Sequence, residues 1–126
     1  GIFMALISDY CFDLALAYID TNANRLDICS QEPATYTAAT VTYTLGNKTS
    51  LSVGAPTDRT PNGRMVTVAA ITDGTVTGTA TATHWAISDT GNSRLIATGQ
   101  LSASQAVTSG NTFTLAAFNI GIADAT

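Results

Sequence analysis

Five threonines stand at every second position, Thr75, Thr77, Thr79, Thr81 and Thr83, and alternate with Val76, Gly78, Ala80 and Ala82. A period of two belongs to a β-strand, whose successive side chains point to opposite faces. Threonine reinforces it, because branching at Cβ fits a pleated surface better than a helix. A chain carrying such a segment must find partner strands for its backbone donors and acceptors. The pattern runs on with Trp85 and Ile87 on the threonine side and with His84 and Ala86 on the small apolar side. Either a bulge near Thr83–His84 turns the faces over, or the second half is buried on both faces. We expect burial on both faces.

Flanking segments supply the partners. Leu26-Asp27-Ile28-Cys29 alternates and stops before Pro33, and Thr37–Leu45 sets Val41, Tyr43 and Leu45 against Thr40, Thr42 and Thr44. Gly46-Asn47 reads as a turn before a short strand at Ser50–Val53, and Pro56–Gly63 as a loop. Met65–Ile71, Thr75–Ser88 and Leu95–Leu101 read as strands, separated by turns at Asp73-Gly74 and Asp89–Asn92. After a turn at Ser109-Gly110-Asn111, Phe113 and Leu115 give way to Phe118, Ile120 and Ile122, a parity change that predicts a bulge at Ala116-Ala117.

Ahead of these lies one helical pattern, residues 8–19, with Ser8 as N-cap and Asp9 at the positive end of the dipole. Cys11, Phe12, Leu14, Ala15, Leu16, Tyr18 and Ile19 make its apolar surface broad enough to press on a sheet, with a neighbour contact as the alternative. No helix is expected between strands after residue 30, which argues against parallel βαβ units. The expected fold is all-β: an antiparallel β-sandwich, jelly-roll or Ig-like, of about seven strands with a short N-terminal helix. At 126 residues, 1–126 reads as one domain with its β region at 25–123. Met4 reads as a natural start, with residues 1–3 a remnant or a processed end, and no signal peptide is recognised.

Charged residues make up only 11% of the chain, against about 25% in a typical soluble domain. Five scattered cations within a net charge of −4 cannot neutralise a phosphate track, so no nucleic-acid partner is expected. No apolar run reaches the roughly 20 residues a membrane helix requires. Cys11 and Cys29 are too few for a disulfide framework, and we expect two buried, inert thiols.

Catalytic chemistry has few candidates. His84 is the single histidine, so two-histidine metal motifs are impossible, and a triad would have to recruit Ser88 and Asp89. Asp20, Asp58, Asp73 and Asp89 read as turn residues rather than a converging pair. Gly46-Asn47-Lys48-Thr49 lacks the glycines of a phosphate loop. No catalytic residue, cofactor or metal is expected. Tyr36, Tyr43 and Trp85 are the candidate surface contacts, as aromatic platforms for a sugar.

Arg25-Leu26-Asp27-Ile28-Cys29-Ser30-Gln31-Glu32-Pro33, Thr83-His84-Trp85-Ala86-Ile87 and Ser104 through Leu115 give the chain from about residue 24 onward a distinct texture. It resembles small β-rich virion structural proteins of tailed bacteriophages. The resemblance implies a non-enzymatic role on the particle, as capsid decoration protein, head fibre or tail component, made in the bacterial host cytoplasm. It implies as partners further copies of itself, a trimer by expectation, and the major capsid protein or other virion proteins. The alternative is a tail-associated carbohydrate- or receptor-binding module. The near absence of Lys and Glu, which interfaces disfavour, agrees with burial between subunits.

Overall fold

The computed structural model describes residues 6–124. The expectations for Met4 and residues 1–3 lie outside them. Helix α1 (Asp9–Asn22) leads into β1 (Arg25–Cys29), and a π-helical turn (Ala38–Thr42) precedes β2 (Thr44–Thr49). There follow β3 (Thr57–Asp58), β4 (Arg64–Val68), β5 (Ile71–Val76), β6 (Ala80–Asp89), β7 (Arg94–Val107), β8 (Thr112–Leu115) and β9 (Phe118–Ile122). One sheet has the order β7-β6-β1-β2-β5-β8 and the other β3-β4-β9, with every pairing antiparallel. The all-β, sandwich-like architecture with one short helix is therefore as expected, in nine strands rather than about seven.

β1 sits near the middle of the large sheet and buries both of its faces. Leu26 and Ile28 point into the main core with Val68, Ile71, Val76, Ile87 and Phe113; Val68 comes from the small sheet. Asp27 and Cys29 point the other way, where Cys29, Ala39 and Ala86 form a second cluster flanked by Tyr43 and Leu95. The large sheet thus has a core on each side. Residues Ala86 to Asp89 are all buried, and the β6–β7 register shifts between Ala82 and His84. Both consequences of the broken alternation are present together. The faces turn over, and the second half of the strand is buried on both sides.

Two strand and two turn expectations are corrected. Thr37–Leu45 is helical over Ala38–Thr42, because Thr40 and the preceding Thr35 satisfy backbone groups locally. Thr35 Oγ1 accepts from Ala38 N at 3.0 Å, and Thr40 Oγ1 donates to the Tyr36 carbonyl at 2.8 Å. The turn seats Ala39 against the sheet with no exposure. Gly46-Asn47 and Asp73-Gly74 are not turns but lie within β2 and β5. Each glycine there makes room: a Cβ on Gly46 would stand 2.5 Å from the Thr75 carbonyl oxygen, and one on Gly74 would strike the Phe113 ring. Ser50–Val53 contributes only a bridge from Val53 to Val68.

The long strands differ in extent as well. The chain leaves the ladder at residues 77–79, where Thr77 and Gly78 both donate to the Leu45 carbonyl, so β5 and β6 are separate strands. At Ala116-Ala117 it breaks rather than bulges: β8 belongs to the large sheet and β9 to the small one. β7, at 14 residues the longest strand, is an edge strand that departs twice from regular pairing with β6. Ile96 is inserted between Leu95 and Ala97, and Leu101–Ser104 stand opposite Thr83 alone.

Candidate interaction surface

Phe12 and Leu16, four residues apart, are buried where α1 lies against β4, and Ala23 just beyond the helix continues that stripe into the core. At about 100° per residue, Tyr10 and Leu14 fall on the opposite side of the helix. They are 71% and 58% exposed, and Leu6 and Ile7, just before the helix, are 75% and 57% exposed. The broad apolar surface legible in the sequence is thus two faces, one in the core and one in water. Cys11 is exposed on the same helix, which corrects the expectation of two buried thiols; Cys29 is buried, and the two are unpaired.

Polar contacts clamp α1 at both ends. Arg64 of β4 binds Asp13 through Nε at 2.8 Å and Nη2 at 3.2 Å, and its Nη1 holds Asp58 at 2.6 Å. Hydrogen bonds to these two carboxylates, Asp13 foremost, raise the Arg64 pKa well above its ordinary value. At the other end the Tyr18 hydroxyl donates to Asp89 Oδ2 at 2.8 Å and accepts from Arg94 Nη1 at 2.9 Å. Asn92 Nδ2 also donates to Asp89 Oδ2 at 2.7 Å. Hydrogen bonds from Asn92 and then Tyr18 hold the Asp89 carboxyl below its ordinary range. Asn24 joins the same hairpin, its amide donating to Thr90 Oγ1 at 2.8 Å and accepting from Thr90 N at 3.0 Å. The outer apolar face is therefore carried on a helix fixed at both ends.

The three aromatic candidates do not form one platform. Trp85 is half-buried beside the main core, its ring centroid 4.6 Å from that of Phe118. Tyr43 packs on the second cluster, across the large sheet from Trp85. Tyr36 is half-buried before the π-helical turn. Tyr10, which the sequence did not single out for contact, is the most exposed aromatic side chain among the described residues. Its signal was present in the helical spacing Tyr10–Leu14, but that spacing alone could not tell the core face from the outer one.

His84, Ser88 and Asp89 are likewise not assembled. Thr83 Oγ1 donates to the Ser30 carbonyl at 3.0 Å and lies 2.8 Å from His84 Nδ1. Asp89 serves Tyr18 and Asn92, and the buried Ser88 hydroxyl has no partner among the described residues. Asp20, Asp58 and Asp73 lie within elements rather than in turns, whereas Asp89, the last residue of β6, caps the Thr90–Asn92 turn as expected, its Oδ1 accepting from Asn92 N at 3.4 Å. Among the described residues no group of three His, Cys, Asp or Glu side chains could hold a metal ion.

Besides Asp89, a second carboxylate, Asp27, is buried behind the sheet. Asp27, with no exposure, accepts from Arg25 Nε at 2.8 Å, Arg25 Nη2 at 2.9 Å and Thr44 Oγ1 at 2.7 Å. The hydrogen bond to Asp27 raises the Arg25 pKa. Burial, aided by the Asp27 charge, pushes the Cys29 thiol up to about 12. A thiol so far from ionisation is no nucleophile at neutral pH.

No helix among the described residues is long and apolar enough to cross a membrane. Comparison with protein-family models, curated proteins and solved structures returns no match.

Proposed function

We propose that this protein is a non-enzymatic structural subunit of a phage virion, a capsid decoration protein that acts as a symmetric oligomer. The observation that carries this reading is the outer face of α1, where Tyr10 and Leu14 stand in water on a helix clamped to β4 and to the β6–β7 hairpin, with Leu6 and Ile7 exposed in the segment just before it. A contiguous exposed apolar face is a recurrent mark of an interaction surface. Because the helix is already fixed, little further ordering is lost when that face is covered. Its occupant in this reading is the same face of further copies, arranged by closed symmetry as a trimer, with the major capsid protein meeting the assembled ring. Copies bound to the shell stabilise it by their binding free energy. The alternative, a tail module that stacks sugars on aromatics, draws no support from Tyr36, Tyr43 and Trp85, which lie apart and partly buried.

Co-sedimentation with purified phage capsids, run beside isolated tails, tests the assignment. Saturable binding to capsids alone is expected. Binding to tails alone, or a chain that remains monomeric at every concentration in sedimentation equilibrium, would overturn it.

A further inference from the structure

The outer face of the small sheet holds a cleft of about 330 Å3, lined by Arg59, Thr60, Met65, Asn119 and Gly121. That size is at the lower end of the range of small-molecule pockets, about 300–1,000 Å3. Met65 pairs with Gly121 across β4 and β9, and Asn119 stands two residues before Gly121 on the same face. Arg59 enters from the loop after β3 and lies across Gly121, where a Cβ would come within 3.0 Å of its Cδ. The absent side chain is what lets the arginine rest there, half-buried.

The lining is rich in donors. Arg59 gives one guanidinium hydrogen to the Asn62 carbonyl at 3.0 Å, through Nη1. No carboxylate among the described residues pairs with it. Its neighbour Asp58 is taken by Arg64. Asn119 accepts from Thr67 through Oδ1 at 2.8 Å, which leaves its amide hydrogens free to donate. Thr60 adds a hydroxyl, Met65 an apolar wall, and no acid lines the cleft. In a chain of net charge −4 with five cations, an arginine without an acid, set among unused donors, is selective for an anion. One positive charge matches one negative charge, and the planar guanidinium matches a planar, two-oxygen acceptor.

We propose that this cleft binds a carboxylate: Arg59 engages both oxygens, and Thr60 and Asn119 donate to their remaining lone pairs. Such a group arrives either on a free small acid or on an aspartate or glutamate side chain of a partner protein. The inference does not depend on the assembly reading, since the cleft is on β4 and β9 and the exposed apolar face is on α1.

The test is a titration of the 15N-labelled full chain, followed by backbone amide shifts and by the Arg59 Nε–Hε signal. The probes are acetate, succinate, N-acetyl-aspartate methylamide and inorganic phosphate. Saturable shifts confined to the five lining residues are expected, with carboxylates ahead of phosphate. Tighter binding of the aspartate amide assigns the source to a protein side chain, and tighter binding of acetate or succinate assigns it to a free acid. Arg59→Gln removes a charge-assisted, two-point contact and weakens binding by about tenfold or more. Gly121→Val fills the cleft and displaces Arg59, with a comparable loss. Shifts that never saturate, carboxylate binding that survives either variant, or phosphate binding tighter than every carboxylate overturns the proposal.

Discussion

Replacing Leu14 by aspartate separates an assembly face from a folding face. Leu14 is 58% exposed, so folding has left over half of its side chain in water. Full burial of a leucine contributes about 1.5–3 kcal/mol, so covering the remainder would add about 1–2 kcal/mol per copy. In the proposed trimer three copies bring this face together, so the loss sums to about 3–6 kcal/mol per assembled trimer, a weakening of roughly a hundredfold or more in its association constant. A carboxylate driven into the contact costs more still. The monomer, by contrast, loses less: aspartate is a poorer helix former than leucine by about 0.5 kcal/mol, and only the covered minority of the side chain gives up contacts. Sedimentation equilibrium gives the association constant, and thermal melting of dilute protein gives the stability of the fold. Unchanged association would falsify the role assigned to this face. A melting temperature lowered by many degrees would refute the placement of Leu14 in water. Deleting α1 outright is the poorer experiment, because Phe12 and Leu16 leave with it and uncover β4.

Ellman's reagent should titrate one thiol per native chain, Cys11, and a second only on unfolding, because Cys29 is buried with its pKa pushed up to about 12; rapid reaction of two thiols in the native protein would contradict that burial. Asp27→Asn puts an amide donor against Arg25 or Thr44 and leaves the arginine without its charge partner. It should cost about 2–3 kcal/mol, a drop in melting temperature of roughly 10 °C by calorimetry, discounted from a fully buried pair because the Arg25 side chain is 23% exposed. Asp89 carries a pH effect: its carboxyl sits below the ordinary 3.8 in the folded protein, so its contribution is complete above that value. It is lost as the pH falls through the folded pKa, and Asp89→Asn should flatten acid unfolding curves below pH 3.8 relative to the parent.

What the sequence revealed, and what it concealed, follows from the range of the forces involved. The first helix and β1 were legible because periodicity and punctuation are local, and Ser8 and Pro33 bracket them. Thr37–Leu45 misled because alternate threonines resemble a strand, while the Thr40 hydroxyl bonds a backbone carbonyl four residues back and Thr35, just ahead of the segment, accepts from Ala38 N. Gly46 and Gly74 resembled turns because a glycine that admits a neighbouring strand or ring looks the same in one dimension as one that bends the chain. The cleft was invisible for a similar reason. Arg59 and Asn119 lie 60 positions apart, and only the pairing of β4 with β3 on one side and β9 on the other brings them to one face.

The two irregularities of β7 bear on how densely this protein can be packed. An edge strand of 14 residues whose last 13 carry no charge is a template on which another chain could extend the sheet. With Ile96 inserted and Leu101–Ser104 looped out, the longest evenly paired run is Ala97–Gln100. A foreign strand laid along that edge would lose register within a few residues. Little electrostatic repulsion keeps copies of so weakly charged a chain apart, so the uneven edge takes over that task. Molecules crowded side by side can touch through their side chains while each sheet ends where its own chain does.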